Sequence, residues 1–540
     1  MQLLPVLTIV VPLVGAGWTL GISPLTRVRP YTRYIALVAT GVTSILILAS
    51  GWVASTVTAP SLWQPSVLFG TTPALRIDSS TQPLALALAV VTFSALLVGL
   101  SRGEEPHPRL LAALQALVAA GVLALWAANL LTMLISWAIY DVLQAAGHLG
   151  SGRSTRAAVR SLVFGSLATL LLWGGAVLSG DGVGGELWSL MTLRGPQMTL
   201  WTAAGILRLG AYPFHLAAPE DTGSASSLAV PLSLGPIMGW GLWLRLASAN
   251  GGPVPGGTWV PILGAVNLAV GGFMAWCCEQ PQRRIARAGL GVAGAILLAA
   301  GLAGENAVGV IASGSVVWTL GLGIVSLGDG LRRKALWWSI PGLVGAAALL
   351  GLPLTLGFVT EANLLGGLAR AGRLGWGGAF FLGNLFLVPA LARWLLTEPS
   401  FPPADRRWLA VVRGIGLGAP LLLLIVAGLH PPLLLGDLSA LSQGELFELP
   451  DLVGWLLWAV SLAGGGVLAW QDAALCSKLE LWLSAAHDLL SLEWLYGVVM
   501  GALDRGFSVL RTADEVVRGG GALLWSWFLF LLLLLVWGSR

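Results

Sequence analysis

Apolar stretches of about twenty residues follow one another along nearly the whole of this 540-residue chain. That feature leaves few folds open. The hydrocarbon core of a bilayer is about 30 Å thick, and roughly 20 apolar helical residues cross it. Inside it no water serves the backbone, so runs of this length cross as helices, whose N–H and C=O groups satisfy one another. Sixteen spans are predicted, near 3–22, 34–57, 82–101, 108–126, 128–147, 158–179, 199–217, 227–249, 258–278, 287–304, 306–328, 338–360, 374–396, 409–428, 453–471 and 521–538. The expected fold class is therefore an all-α polytopic membrane protein with about 14–16 transmembrane helices. Charged residues make up 10% of the chain, against about 25% in soluble domains. Tryptophan is abundant, and Trp18, Trp63, Trp188, Trp201, Trp259, Trp337, Trp394 and Trp537 stand at the ends of apolar runs, where an amphipathic ring meets the lipid headgroups. The first run, Leu3 to Ile22, lacks the basic start of a cleavable signal.

Several function classes drop out. A net charge of +4 without clustered Lys/Arg and aromatics gives no nucleic-acid surface. Cys277, Cys278 and Cys476 have no metal-ligand spacing, and the adjacent pair reads as small apolar residues at a helix end. No iron–sulfur cysteine set, haem histidine pair or nucleotide loop is present, so no metal or cofactor and no catalytic centre of its own is expected. The glycines read as helix-packing surface.

Loop charge gives an orientation. Alternate loops collect Arg27, Arg29, Arg33, Arg153, Arg156, Arg160, Arg332, Arg333 and Lys334, while the other side holds Arg76, Arg194, Arg370 and Arg373 with the acidic Asp437, Glu445, Glu448 and Asp451. The basic side is expected to be cytoplasmic, which puts both termini outside. Residues 474–518 mix Lys478, Glu480, Asp488 and Glu493 with Leu479, Trp482, Leu490 and Leu495. That pattern predicts a long amphipathic helix along the membrane surface, suited to contact neighbouring subunits.

Ionisable residues inside spans are costly and therefore candidates for function. Asp141 lies in the fifth span and Arg208 in the seventh, followed by Pro213 and His215; Glu361 closes the twelfth, after Pro353. Pro213 and Pro353 each interrupt an apolar helix and free a carbonyl. Paired helix breaks in corresponding positions of two halves point to a transport site. Glu220 and Asp221 read as solvated residues at the cytoplasmic edge.

The stretch Ile206-Leu-Arg-Leu-Gly-Ala-Tyr-Pro-Phe-His215, continuing to Pro219-Glu-Asp-Thr-Gly-Ser-Ala, resembles the VKxPxxPFHxWLPDA segment of the antiporter-like membrane subunits. These occur in respiratory complex I, membrane-bound hydrogenases and Mrp-type cation/proton antiporters. Leu350-Gly-Leu-Pro-Leu-Thr-Leu-Gly-Phe-Val-Thr-Glu361 resembles the same family's LxGLPxxxGFxGE helix, and Ala74-Leu-Arg-Ile-Asp78 also fits. The resemblance implies two inverted five-helix repeats, at 108–249 and 250–396, each with a broken helix. Around them lie N-terminal helices at 1–107, further helices at 397–471, the lateral helix at 472–520 and a final anchor at 521–540. It also implies a proton or cation path through Asp141, Arg208, His215 and Glu361.

The match is incomplete. Trp137-Ala138 stands where the family has Trp-Glu, and Asp141 lies one helical turn later. Ile237, Gly314 and Trp318 replace the buried Lys and His of the family's midplane relay. Of 29 basic residues only Lys334 and Lys478 are lysines, both outside the spans. A buried lysine can release its proton; an arginine cannot. Three functions stay open. The first is that the chain translocates protons or Na+ within a complex of quinone-reductase or hydrogenase type. It is alternatively a proton-silent scaffold of such a complex, or a membrane partner in inorganic-carbon uptake. The partners implied are other membrane subunits, met through the lateral helix, and the lipid bilayer.

Overall fold

The computed structural model describes residues 4–52, 57–58, 72–152, 155–178, 187–188, 191, 193, 195–217, 226–328, 336–371, 374–396, 407–436 and 443–498, with a few isolated positions beyond. Two compact units are present, Met1–Leu475 and Cys476–Arg540.

The first unit is a helical bundle. Its opening helices are α1 (Leu4–Ile22), α2 (Thr32–Ser50), α3 (Gln82–Ser101), α4 (Pro108–Leu125), α5 (Leu130–Gly150), α6 (Thr155–Leu178), α7 (Gly195–Leu209) and α8 (Pro236–Ala249). Next come α9 (Trp259–Cys277), α10 (Pro281–Ala303), α11 (Ala307–Leu327), α12 (Ile340–Leu349), α13 (Gly357–Ala371) and α14 (Leu374–Leu396). The series continues with α15 (Arg407–Leu429), the short α16 (Pro431–Leu435) and α17 (Gln443–Glu448), then α18 (Leu452–Trp470); α19 (Asp472–Ser491) starts in the first unit and belongs mostly to the second. Among the described residues, twelve helices are long and apolar enough to cross a membrane. One of those twelve is the continuous stretch Pro281–Leu327, which a turn at Gly304–Asn306 divides into α10 and α11. The all-α polytopic reading holds. The final span at 521–538 and the residues Glu220 and Asp221 lie outside the described residues.

Burial sorts the helices into layers. α3 is apolar on every side and, like α10 and α11, almost wholly buried, as a helix without a polar face must be within a bundle. α1, α2, α6 and α18 expose most of their surface. Proline at the first or second position starts α3, α4, α8, α10 and α12, where its missing N–H costs nothing. Small residues set the closest contact, between α9 and α10. A Cβ on Gly264 would lie 2.4 Å from the Leu298 nitrogen, and one on Gly271 would lie 2.4 Å from the Gly291 nitrogen. Only glycine lets the two backbones touch there.

Both predicted helix breaks are present, and they share one geometry. α7 stops at Leu209; Gly210 has φ +62°, its N–H donates to Leu207 O, and that of Ala211 donates to Ile206 O. α12 stops at Leu349; Gly351 has φ +63°, its N–H donates to Ala348 O, and that of Leu352 donates to Ala347 O. Each is a glycine-capped turn in which two backbone amides cover the last carbonyls. After the first break the Tyr212–Pro213 bond is cis and a 3₁₀ turn, Phe214–Ala217, follows. After the second, Gly357 reopens the helix against Ala348: a Cβ there would sit 1.9 Å from the Ala348 oxygen.

The lateral segment corrects the sequence reading. The helix is not continuous across 474–518: α19 ends at Ser491 and Leu492 has φ 55°. Helix resumes over 493–498, where the Glu493 N–H meets the Ser491 hydroxyl oxygen at 3.4 Å. Apolar spacing registers period and cannot register one residue in the left-handed region.

Candidate functional site: buried charges at two broken helices

The first site joins α5, α6 and α7. Arg208 occupies the last turn of α7, where the free carbonyls of a helix end favour a cation. Its Nη1 pairs with Asp141 Oδ1 on α5, and both side chains are about 95% buried or more. Thr169 on α6 donates to Asp141 Oδ2 at 3.3 Å. The guanidinium carbon lies 4.9 Å from the Trp137 ring centre and 5.6 Å from that of Tyr140, so two aromatic faces stabilise the buried cation. Gly165 makes the room: a Cβ there would fall 2.4 Å from Asp141 Oδ1 and 2.6 Å from Arg208 Nη1. A cavity of about 30 Å³ opens beside the pair.

Asp141 lies about one helical turn after Ala138 on α5, and the fold brings it to Arg208. One turn beyond it, buried Gln144 donates to Leu232 O at 2.7 Å. His215 lies past the break, with Nδ1 3.2 Å from the Pro213 carbonyl and its ring stacked on Tyr212. The Tyr212 N–H donates at 2.6 Å to Asn267 Oδ1, which α9 supplies.

The second site lies on α13. Glu361, 5% exposed, accepts a 3.2 Å hydrogen bond from Asn384 Nδ2 of α14. Gly351 of the break packs on it, and a Cβ there would sit 2.8 Å from Glu361 Cβ. Sequence reasoning named the acid but not its amide partner.

Between the two sites α8 packs against α11. From Ile237 to Leu244, α8 presents only apolar residues, with Ile237, Trp240 and Trp243 fully buried. On α11 the hydroxyls of Ser313, Ser315 and Thr319 donate to carbonyls of their own helix, and Trp318 Nε1 donates to Gly289 O. The α8 side of the contact is apolar, and the described hydroxyls of α11 are turned to their own helix.

Two further charge pairs escaped the sequence reading. Arg245 on α8 pairs with Asp78, just before α3, and its Nη2 donates to Leu125 O at 2.9 Å. Burial pushes the Asp78 carboxyl up. Arg245 and hydrogen bonds from Ser80 and Thr81 outweigh that and hold it below its ordinary value. Arg393 at the end of α14 pairs with Asp472, which also accepts from Trp276 Nε1 at 2.8 Å. An arginine within each apolar run was the available signal; its partner was not.

No protein-family model matches the chain. Over 264 residues it is 27% identical to NADH-quinone oxidoreductase subunit N of Xanthomonas euvesicatoria pv. vesicatoria (strain 85-10), covering 42% of this chain and 53% of that protein. The match thus spans about half the length of this relative. Among solved structures, a chain of the membrane-bound sulfane sulfur reductase, an archaeal respiratory membrane complex, has TM-score 0.75 at 17% identity, covering 98% of this chain and 99% of its own. A chain of the Mrp complex from Dietzia sp. DQ12-45-1b has TM-score 0.77 at 18% identity, covering 98% and 63%. Sequence relatives and fold agree with the resemblance carried by the two broken-helix segments: the chain is similar in sequence to NADH-quinone oxidoreductase subunit N and shares the fold of membrane chains of the sulfane sulfur reductase and Mrp complexes.

Proposed function

We propose that this chain is a membrane subunit of a complex I-like or Mrp-like assembly and takes part in moving protons, or Na+, across the membrane, driven by a partner module. The observation that carries the reading is a buried acid beside each of two similarly broken helices, Asp141 facing the stub that ends at Leu209 and Glu361 following the break at Pro353. Such acids are costly in a bilayer and are kept where they move charge. Residues 108–249 and 250–396 form the two repeats in this reading. The segment 474–518 meets neighbouring membrane subunits. The chain sits in the inner membrane with both termini outward.

The test is proton uptake by the purified complex in liposomes, comparing wild type with Asp141→Asn and Glu361→Gln. Uptake falls in both variants if the acids carry protons; undiminished uptake in both would sink the reading. The apolar lining of α8 where it packs on α11 favours a second reading, a scaffold that moves no protons, and undiminished uptake is its signature.

A further inference from the structure

The cavity beside Arg208 has a chemistry that the ion pair alone does not use. Gln144, Ser161, Gly210, Ser233 and the first residues of α8, Gly235 and Pro236, line it with Arg208. Arg208 is the one charged group in that lining among the described residues. Its side chain is 5% exposed, and with Nη1 given to Asp141, its Nε and Nη2 have no hydrogen-bond partner among the described residues. Unpartnered donors on a buried guanidinium are expensive. The start of α8 adds the partial positive charge of a helix N-terminus to the same space. About 30 Å³ is room for one or two water-sized groups.

Charge bookkeeping then separates two states. With Asp141 ionised the pair is neutral, and water suffices in the cavity. When Asp141 takes a proton, Arg208 keeps its charge, because a guanidinium does not release a proton in a protein. A lysine at this position could discharge itself; an arginine leaves a lone buried cation. Among the described residues Tyr140 also faces the pair, and its phenol is no counter-ion while it is protonated.

We propose that this cavity binds a small monovalent anion of halide type against Arg208 and the start of α8, and that it fills as Asp141 is protonated. Proton uptake and anion binding at this site are then linked one to one. The proposal rests on Asp141 being the proton acceptor of the path above.

Chloride binding to the purified detergent-solubilised complex, with sulfate as the balancing anion, tests it without any transport assay. Linkage requires wild-type affinity to rise up to about tenfold per unit fall in pH while Asp141 titrates. Asp141→Asn leaves Arg208 permanently uncompensated, so it binds chloride as tightly as acidic wild type and without pH dependence. Arg208→Gln abolishes binding. Should Asp141→Asn fail to assemble, wild type alone decides, since chloride addition at fixed pH must draw in about one proton per bound ion. Absence of chloride binding at every pH, or binding that survives Arg208→Gln, overturns the proposal and leaves water as the occupant. A complex that binds chloride in this way without pumping keeps the anion site and loses the transport reading; one that pumps without binding chloride does the reverse.

Discussion

The two broken helices end in the same glycine-capped turn, yet their acids live differently. At the first, Asp141 faces a permanent cation inside an aromatic cage. At the second, Glu361 has an amide neighbour, Asn384. A paired acid gains stability from its charge and loses it on protonation; an acid beside an amide can change protonation at small structural cost. The comparison teaches that one backbone device can stand beside an ion-paired acid at one break and an amide-bonded acid at the other.

The largest test of that contrast removes one member of the ion pair. Asp141→Asn strands Arg208, and breaking a buried pair costs about 3–5 kcal/mol, read as a lower unfolding midpoint of the detergent-solubilised complex. Asp141→Asn with Arg208→Gln should recover much of the loss. Next in size, Gly165→Ala forces a methyl against both charges, and overpacking of this kind costs about 1–3 kcal/mol; the same melt measures it. Asp78→Asn weakens a third paired acid by about 1.5 kcal/mol at neutral pH. Because the folded Asp78 carboxyl is held below its unfolded value, its contribution is full above about pH 4 and disappears as the pH falls further. The gap between wild-type and Asp78→Asn midpoints therefore closes in acid. Glu361→Gln, which keeps the oxygen that Asn384 donates to, should move the midpoint by less than about 1 kcal/mol while lowering proton uptake. An equal loss at Asp141 and Glu361 would erase the contrast. Smallest is the coupling between the sites: across the apolar contact of α8 and α11, the two single effects should add within about 0.5 kcal/mol in the double variant.

The features legible in the sequence were those set by local chemistry. Apolar length marked the helices, Gly and Pro marked both breaks, and helical spacing brought Asp141 to Arg208. The unread features depend on distant parts of the chain. Arg245 finds Asp78 at a separation of 167 residues and Arg393 finds Asp472 at 79. Neither periodicity nor hydropathy carries such information. Gly165 looked like any packing glycine, since what fills its missing side chain comes from two other helices. Asn384 gave no signal in the sequence; the packing of α13 on α14 brings Glu361 to it.

Asn267 carries a consequence for how the protein is made. The Tyr212 amide freed by the first break has its acceptor on α9, a helix synthesised some fifty residues later. Until α9 is inserted, that amide lies at membrane depth without its final partner, a costly state in lipid. The turn after α7 is therefore completed by α9, and a chain ending at Ala249 would lack the acceptor that α9 supplies. Membrane integration at this point is in that sense a stitching reaction, in which a later helix closes what an earlier one left undone.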